Sequence, residues 1–291
     1  MKTQFKKAFK NGMSQLLDRN YFLSMQWRVF LVRRLVNDKL FIVYSDGKVG
    51  STTLTVSLRK NFPGQFVFHI HRLTQESIAQ AESYYKNRCK PSMIPDNVIQ
   101  SKFLQIYLKT ISKNCEVYFF SLVRDPVSAL ISGYCQSYFY SRKKTSQSED
   151  EIVGSIIQNI LERFQSKKIQ ERLDWIDQEL NQALDYNIYA EEFNKEKGYK
   201  IYRSKSLLVI KLESFNSQCA DAMKEFLGCH EFAIKENNKA EQSSYYPVYQ
   251  KVKRSIKLPR ETLDKIYTSK YVEYFYTDKE IRQFKERWSL T

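Results

Sequence analysis

The sequence predicts an α/β fold built on a mainly parallel sheet, with helix-rich additions at both ends. Three observations predict it. Apolar, strand-like runs alternate with helical patterns along the chain. Two of those runs, residues 117–123 and 207–212, are apolar at nearly every position, as central parallel strands covered on both faces must be. A third run, residues 40–44, feeds a glycine-containing turn and then a helical pattern, and open α/β sheets gather ligands where a strand ends in this way.

Residues 1–36 carry apolar positions at helical spacing, among them Phe5, Phe9, Leu16, Phe22, Trp27 and Phe30, with lysines and arginines between. We set residues 1–38 apart as an N-terminal helical segment and take 39–291 as a single α/β domain. The stretch 21–36 is too short to span a bilayer and is interrupted by Arg28, Arg33 and Arg34. As a basic amphipathic helix, residues 1–36 either pack on the domain or make peripheral contact with a membrane. The N-terminus shows no signal-peptide cleavage pattern, and a cytoplasmic protein is expected.

After the first strand comes the turn Ser45-Asp46-Gly47-Lys48-Val49-Gly50, then Ser51, Thr52 and Thr53 opening a helix to about 59. Asn61-Phe62-Pro63-Gly64 ends that helix. Residues 65–71 read as a second strand, whose alternation puts Val67, His69 and His71 on one face. Helices are predicted over 74–86, capped by Thr74, and over 97–112. The run ending at Val123 passes into Arg124-Asp125-Pro126. Asp125 suits an N-cap, Pro126 a first helical turn, and the helix extends to about Tyr140. The polar stretch 141–150 reads as a mobile loop. Residues 151–180 read as mostly helix, 200–203 and 207–212 as strands, and 219–227 as a helix stopped by Gly228. Lys251-Val252-Lys253-Arg254 reads as a basic loop, followed by helices over 260–269 and 278–288.

The chain has 291 residues and a formal charge of +15, which favours anionic partners. Its five cysteines form no Cys-x-x-Cys pair and read as reduced thiols. With three histidines, none in ligand spacing with a cysteine, no metal site is expected.

The strand–turn–helix at 40–59 has the makings of a phosphate cradle. Backbone N–H groups at a helix start, small residues, the charge of Lys48 and the hydroxyls of Ser51, Thr52 and Thr53 all suit an anion. It is not a nucleoside-triphosphatase loop, because Lys48 precedes Gly50 and the Gly-x-x-x-x-Gly-Lys spacing is missing. A second feature lies at Arg124 and Ser132. Two turns into the predicted helix, the serine is placed to share one phosphate with the arginine.

At these two places the chain resembles sulfotransferases that use 3′-phosphoadenosine 5′-phosphosulfate (PAPS). Lys48-Val49-Gly50-Ser51-Thr52-Thr53 is similar to their 5′-phosphosulfate loop, and Arg124-Asp125-Pro126 through Ser132 to their 3′-phosphate motif. His69-Ile70-His71 resembles the His-x-His strand of heparan-sulfate 2-O-sulfotransferases. Trp175, Glu192 to Tyr199, residues 207–213, Tyr267-Thr268-Ser269-Lys270-Tyr271 and Trp288 resemble bacterial capsular polysaccharide synthesis proteins. The resemblance implies a P-loop-like three-layer α/β/α domain that moves a sulfuryl group from PAPS to a carbohydrate hydroxyl, as in capsule or exopolysaccharide synthesis. It implies cofactor contacts at Lys48, Val49, Gly50, Ser51, Thr52, Thr53, Arg124 and Ser132, no metal, Lys48 stabilising the leaving phosphate, and His71 as base supported by His69. The chain lacks the C-terminal Arg-Lys-Gly segment of cytosolic sulfotransferases; Lys251, Lys253 and Arg254 are the residues available to replace it. Glu213 is an alternative candidate for the base, but is expected rather to order a loop near the nucleotide.

Two other classes compete. A P-loop kinase or nucleotide hydrolase needs a magnesium-binding acid after a strand, where Asp125 stands, but also the missing lysine spacing. A non-catalytic basic module needs exposed aromatics interleaved with basic residues. The buried-strand motifs speak against it, and against nucleic acid as the partner.

Overall fold

The computed structural model describes residues 39–88, 94–109, 115–141, 148–235 and 243–290. The segment expected over 1–38 lies outside the described residues, as do residues 142–147 of the expected loop. In chain order the main elements are β1 (Lys39–Tyr44), α1 (Ser51–Asn61), β2 (Phe66–Ile70), α2 (Gln75–Arg88), α3 (Asp96–Leu108), β3 (Glu116–Val123), α4 (Pro126–Ser141), α5 (Glu149–Gln165) and α6 (Lys167–Leu173). There follow β4 (Tyr199–Tyr202), β5 (Leu207–Lys211), α7 (Phe215–Leu227), α8 (Tyr246–Ser255), α9 (Arg260–Tyr267), α10 (Lys270–Phe275) and α11 (Asp278–Trp288). A π-helical stretch, Ile176–Asn181, lies between α6 and β4.

The strands form one five-stranded, mostly parallel sheet in the order β2-β1-β3-β5-β4, as the α/β prediction requires. β3 and β5 run parallel and set Val123 beside Lys211, whereas the short edge strand β4 is antiparallel to β5. The apolar runs predicted to be central are buried: all of β5 and the last five residues of β3. Lys211 ends that run only 1% exposed, and its ammonium is satisfied by Glu280 at 2.7 and 2.9 Å and by the Lys195 carbonyl at 2.7 Å.

The described residues fall into two compact units, one of residues 39–40 and 70–117, the other of 41–69 and 118–290. In the first, Ala81 of α2, Val98 of α3 and Ile94 just before α3 form a small core, with an ion pair between Lys102 and Glu82 at 2.6 Å. In the second, Phe41, Val43, Leu122 and Ile210 of the sheet pack with Leu54 and Leu58 of α1 and Phe215 and Met223 of α7. Phe41 meets Phe62, Tyr118 and Phe120 edge-on, a geometry that aromatic quadrupoles favour. On the opposite face by alternation, Tyr44 meets Trp175 edge-on at 5.3 Å and donates to Glu179 at 2.6 Å.

Three expectations change. β2 stops at Ile70, so His71 lies just past the strand. The helix expected over 151–180 is broken at Ser166, whose hydroxyl accepts from Lys168 N–H and caps α6. Residues 251–254 are not a loop: they lie in α8, whose Pro247 suits a helix start. Among the described residues, no helix is long and apolar enough to cross a membrane. The thiols of Cys135 and Cys219 are free, and burial pushes both up to about 12, so neither is a ready nucleophile.

Candidate anion-binding site

The turn between β1 and α1 is pinned from below by Val49, 2% exposed, whose side chain joins the core under the sheet. Its backbone is left facing out. Gly50 has φ +88°, a conformation that favours glycine, and a Cβ there would come within 2.5 Å of Leu212 Cδ1, which would have to move. The start of α1 has no side-chain cap and no acidic residue in its first turn. No acceptor among the described residues takes the N–H groups of Lys48, Val49, Gly50, Ser51 or Thr52. A helix start of this kind offers free donors and positive potential to an anion.

Lys48 itself is left-handed, with φ +69°. That conformation costs a non-glycine residue roughly 1–2 kcal/mol and persists only where neighbours hold it. Two arginines do so. Arg124 Nη1 donates to the Lys48 carbonyl at 2.9 Å, and Arg172 Nη1 donates to the Gly47 carbonyl at 3.0 Å. Arg172 also pairs with Asp46 at 2.5 Å, while Asp46 accepts from Gly47 N–H at 2.6 Å.

The first of these contacts joins the two sequence motifs, 76 residues apart. Sheet register explains it. Val123 and Lys211 are partners in adjacent parallel strands, so the residues two further on, Asp125 and Glu213, come together: Asp125 N–H donates to Glu213 Oε1 at 2.9 Å. Glu213 also accepts from Tyr276 at 3.1 Å, and burial raises its carboxyl above the ordinary range. It orders the turn, as expected. Tyr271 closes the same turn, accepting from Arg124 N–H and donating to the Arg124 carbonyl, each at 3.0 Å.

Asp125 is 1% exposed and accepts from five donors: the N–H groups of Val127 and Ser128, the Ser128 hydroxyl, Tyr267 and Trp288 Nε1. It is the N-cap of α4 and a structural anchor. A magnesium ion would have to displace those donors, which removes the feature that favoured the kinase class.

The face of α4 bearing Ser132 and Gln136, four residues apart, receives Lys48. The Lys48 ammonium donates to Gln136 Oε1, and its stem passes Gly133 so closely that a Cβ there would lie 3.3 Å from Lys48 Cγ. Ser132 is half-buried, and its hydroxyl takes no partner among the described residues. Burial lowers the Lys48 ammonium below the ordinary lysine range, and the charges of Arg124 and then Arg172 lower it further. Among the described residues neither Lys48 nor Arg124 forms an ion pair, although the Glu213 carboxylate lies near enough to feel the charge of Arg124.

The two histidines part company. His69 Nε2 lies 2.8 Å from the Ser51 hydroxyl, at the start of α1. His71 belongs to the other unit, where it borders a shallow recess with Arg72, Ile78, Asn97, Val98 and Ser101. The C-terminal basic residues also divide. Lys251 pairs with Glu149 at 2.6 Å and Asp150 at 3.4 Å, at the start of α5. Lys253 is half-buried, and burial, then Arg287 and Arg124, hold its ammonium below the ordinary range.

Residues 151–277 match the NKWYS family, described as "Putative capsular polysaccharide synthesis protein". The match bears out the capsular-synthesis likeness over that segment. No curated protein and no solved structure matches the chain. The NKWYS segment supplies Arg172, Glu179, Glu213, Tyr267, Tyr271 and Tyr276, which hold the loop, β1 and the Arg124 turn in place. Lys48, His69, His71, Arg124 and Ser132 all precede it.

Sequence reasoning missed Arg172 and Gln136. Arg172 sits in Lys-Lys-Ile-Gln-Glu-Arg-Leu, indistinguishable from a solvated helix face. Gln136 had a signal, standing four residues after Ser132 on the helix already chosen.

Proposed function

We propose that this protein is a PAPS-dependent sulfotransferase whose acceptor is a carbohydrate hydroxyl in polysaccharide synthesis. The observation that carries the reading is the contact between Arg124 and the Lys48 carbonyl. It supports reading as one site two motifs that each suit a phosphate. The donor carries two separated anionic groups, and Arg124 is the cation that feels both Lys48 and Lys253. The NKWYS description supports the polysaccharide context.

In the proposed reaction the acceptor oxygen attacks sulfur while the bond from sulfur to the bridging phosphate oxygen breaks. Charge grows on that leaving oxygen, where the Lys48 ammonium and the free amides of the loop stabilise it. Arg124 and Ser132 hold the 3′-phosphate. The proton of the acceptor hydroxyl passes to a histidine, a base suited to neutral pH. His71 has that role by resemblance. His69, beside Ser51, is the supporting histidine and the alternative base.

The test is calorimetric binding of 3′-phosphoadenosine 5′-phosphate, the expected product. Micromolar binding is expected, with adenosine 5′-monophosphate weaker, and Arg124→Ala should lose about tenfold or more, the loss of a charge-assisted contact. Equal binding of ATP with a magnesium requirement would overturn the reading.

A further inference from the structure

Five consecutive amides, Lys48 to Thr52, have no acceptor among the described residues, and the loop that carries them bends through a left-handed lysine. Such a backbone needs a clamp. In a trans peptide the carbonyl and the N–H point in opposite directions. Fixing the Gly47 carbonyl therefore fixes the Lys48 N–H, and fixing the Lys48 carbonyl fixes the Val49 N–H. These two carbonyls flank the strained residue, and each is held by one guanidinium: Arg172 at 3.0 Å and Arg124 at 2.9 Å.

We propose that Arg172 is a positioning residue for the anion loop: with Arg124 it clamps the two peptides around Lys48 and keeps the amide run aimed at a phosphate or sulfate group. Arg124 is placed to serve both loop and ligand. Arg172 is committed to the loop, because its charge is already met by Asp46 at 2.5 Å. Asp46 in turn holds the Gly47 N–H. Asp46, Gly47 and Arg172 thus form a closed ring of contacts on the side of the loop away from the free amides. The planar fork of arginine suits this double grip on a carboxylate and a carbonyl; a lysine, with one rotatable point charge, does not. Arg172 also ties the NKWYS segment to the loop, which gives α6 a reason to break from α5 at Ser166. The inference rests on reading the loop as an anion cradle, not on the identity of the donor.

Asp46→Asn separates positioning from charge. Removing a negative charge beside an anion site strengthens anion binding by Coulomb attraction alone, whereas loosening Arg172 weakens it. With inorganic pyrophosphate as the calorimetric probe, we expect Asp46→Asn to bind about three- to tenfold more weakly than wild type, and Arg172→Lys about tenfold more weakly although it keeps the charge. The amide resonances of Lys48 and Val49 should move on adding pyrophosphate to wild type and move much less in either variant at saturation. Tighter binding by Asp46→Asn, or wild-type binding by Arg172→Lys, overturns the proposal, as does wild type that binds no pyrophosphate. If pyrophosphate binds as expected and 3′-phosphoadenosine 5′-phosphate does not, the sulfotransferase reading falls and the clamp stands.

Discussion

Arg124 and Asp125 are neighbours in the chain with opposite surroundings. The Asp125 carboxylate is sealed among five donors, two of them from α9 and α11. The Arg124 guanidinium donates to a carbonyl and its charge is felt by Lys48 and Lys253, and no carboxylate forms an ion pair with it among the described residues. A buried charge whose hydrogen bonds are all made is part of the scaffold. Cations gathered without a direct ion-pair partner are poised for a ligand, since their mutual repulsion is relieved when an anion arrives. Strand end and helix start are common to both residues; Asp125 is buried and Arg124 half-buried, and the completeness of their partners differs.

The strongest way to break this contrast is Asp125→Ala. It strands Tyr267, Trp288 and the α4 N–H groups, so a loss of about 3–5 kcal/mol is expected from several unmade buried hydrogen bonds and a lost cap. Urea unfolding measures it. A loss under about 1 kcal/mol, the range of an ordinary surface change, would mean that Asp125 is not the anchor described here.

Lys48→Met should act in the opposite sense on stability and function. Sulfuryl transfer should fall by about 10²–10³ in kcat/KM, the usual result of removing a transition-state donor. The melting temperature should rise. The sign follows from linkage: the folded ammonium titrates below 10.5, so between its lowered value and 10.5 the unfolded chain binds more protons and stability rises with pH. At neutral pH the charged lysine is therefore a cost, which methionine removes. Binding of 3′-phosphoadenosine 5′-phosphate to wild type should weaken as pH rises through that lowered value, before an ordinary lysine would discharge.

Gly133→Ala sharpens the comparison at its smallest scale. Alanine favours the helix by about 1 kcal/mol, but its Cβ would press on Lys48 Cγ from 3.3 Å. Stability should change by less than about 1 kcal/mol, while pyrophosphate affinity falls about two- to threefold, within the range of a mild steric shift. Unchanged affinity would show that Lys48 does not need this passage over α4.

Much of the site's backbone could be read in advance. The strand-to-helix turn at 45–53, the N-cap at Asp125 and the central strands all appear where local patterns put them, because caps, turns and continuous apolar runs act over a few residues. Lys48, Arg124 and Ser132 were chosen on local grounds and lie in one unit, where Arg124 is bonded to the Lys48 carbonyl. Arg172 was not legible, for two linked reasons. Periodicity carried a single helix from 151 to 180 and passed over Ser166, whose capping hydroxyl competes with helical hydrogen bonding. And one arginine among the polar residues of α6 looks like solvated surface until the fold sets it against Gly47. The basic residues 251–254 failed in the same way: the charges masked an amphipathic helix, with Val248, Tyr249 and Val252 buried.

The sequence by itself determined the α/β class, the parallel core strands and the chemical character of the turn after β1, since these depend on side-chain period, strand burial and residue types within one or two turns of chain. Only tertiary structure decided which charges were spent and which were left over. Sheet register brought Glu213 to Asp125, the C-terminal helices brought Tyr267 and Trp288, and α6 brought Arg172 to the loop. The physical reason is that a charge acquires its role from partners within a few ångströms, and here those partners lie up to 163 residues away in the chain.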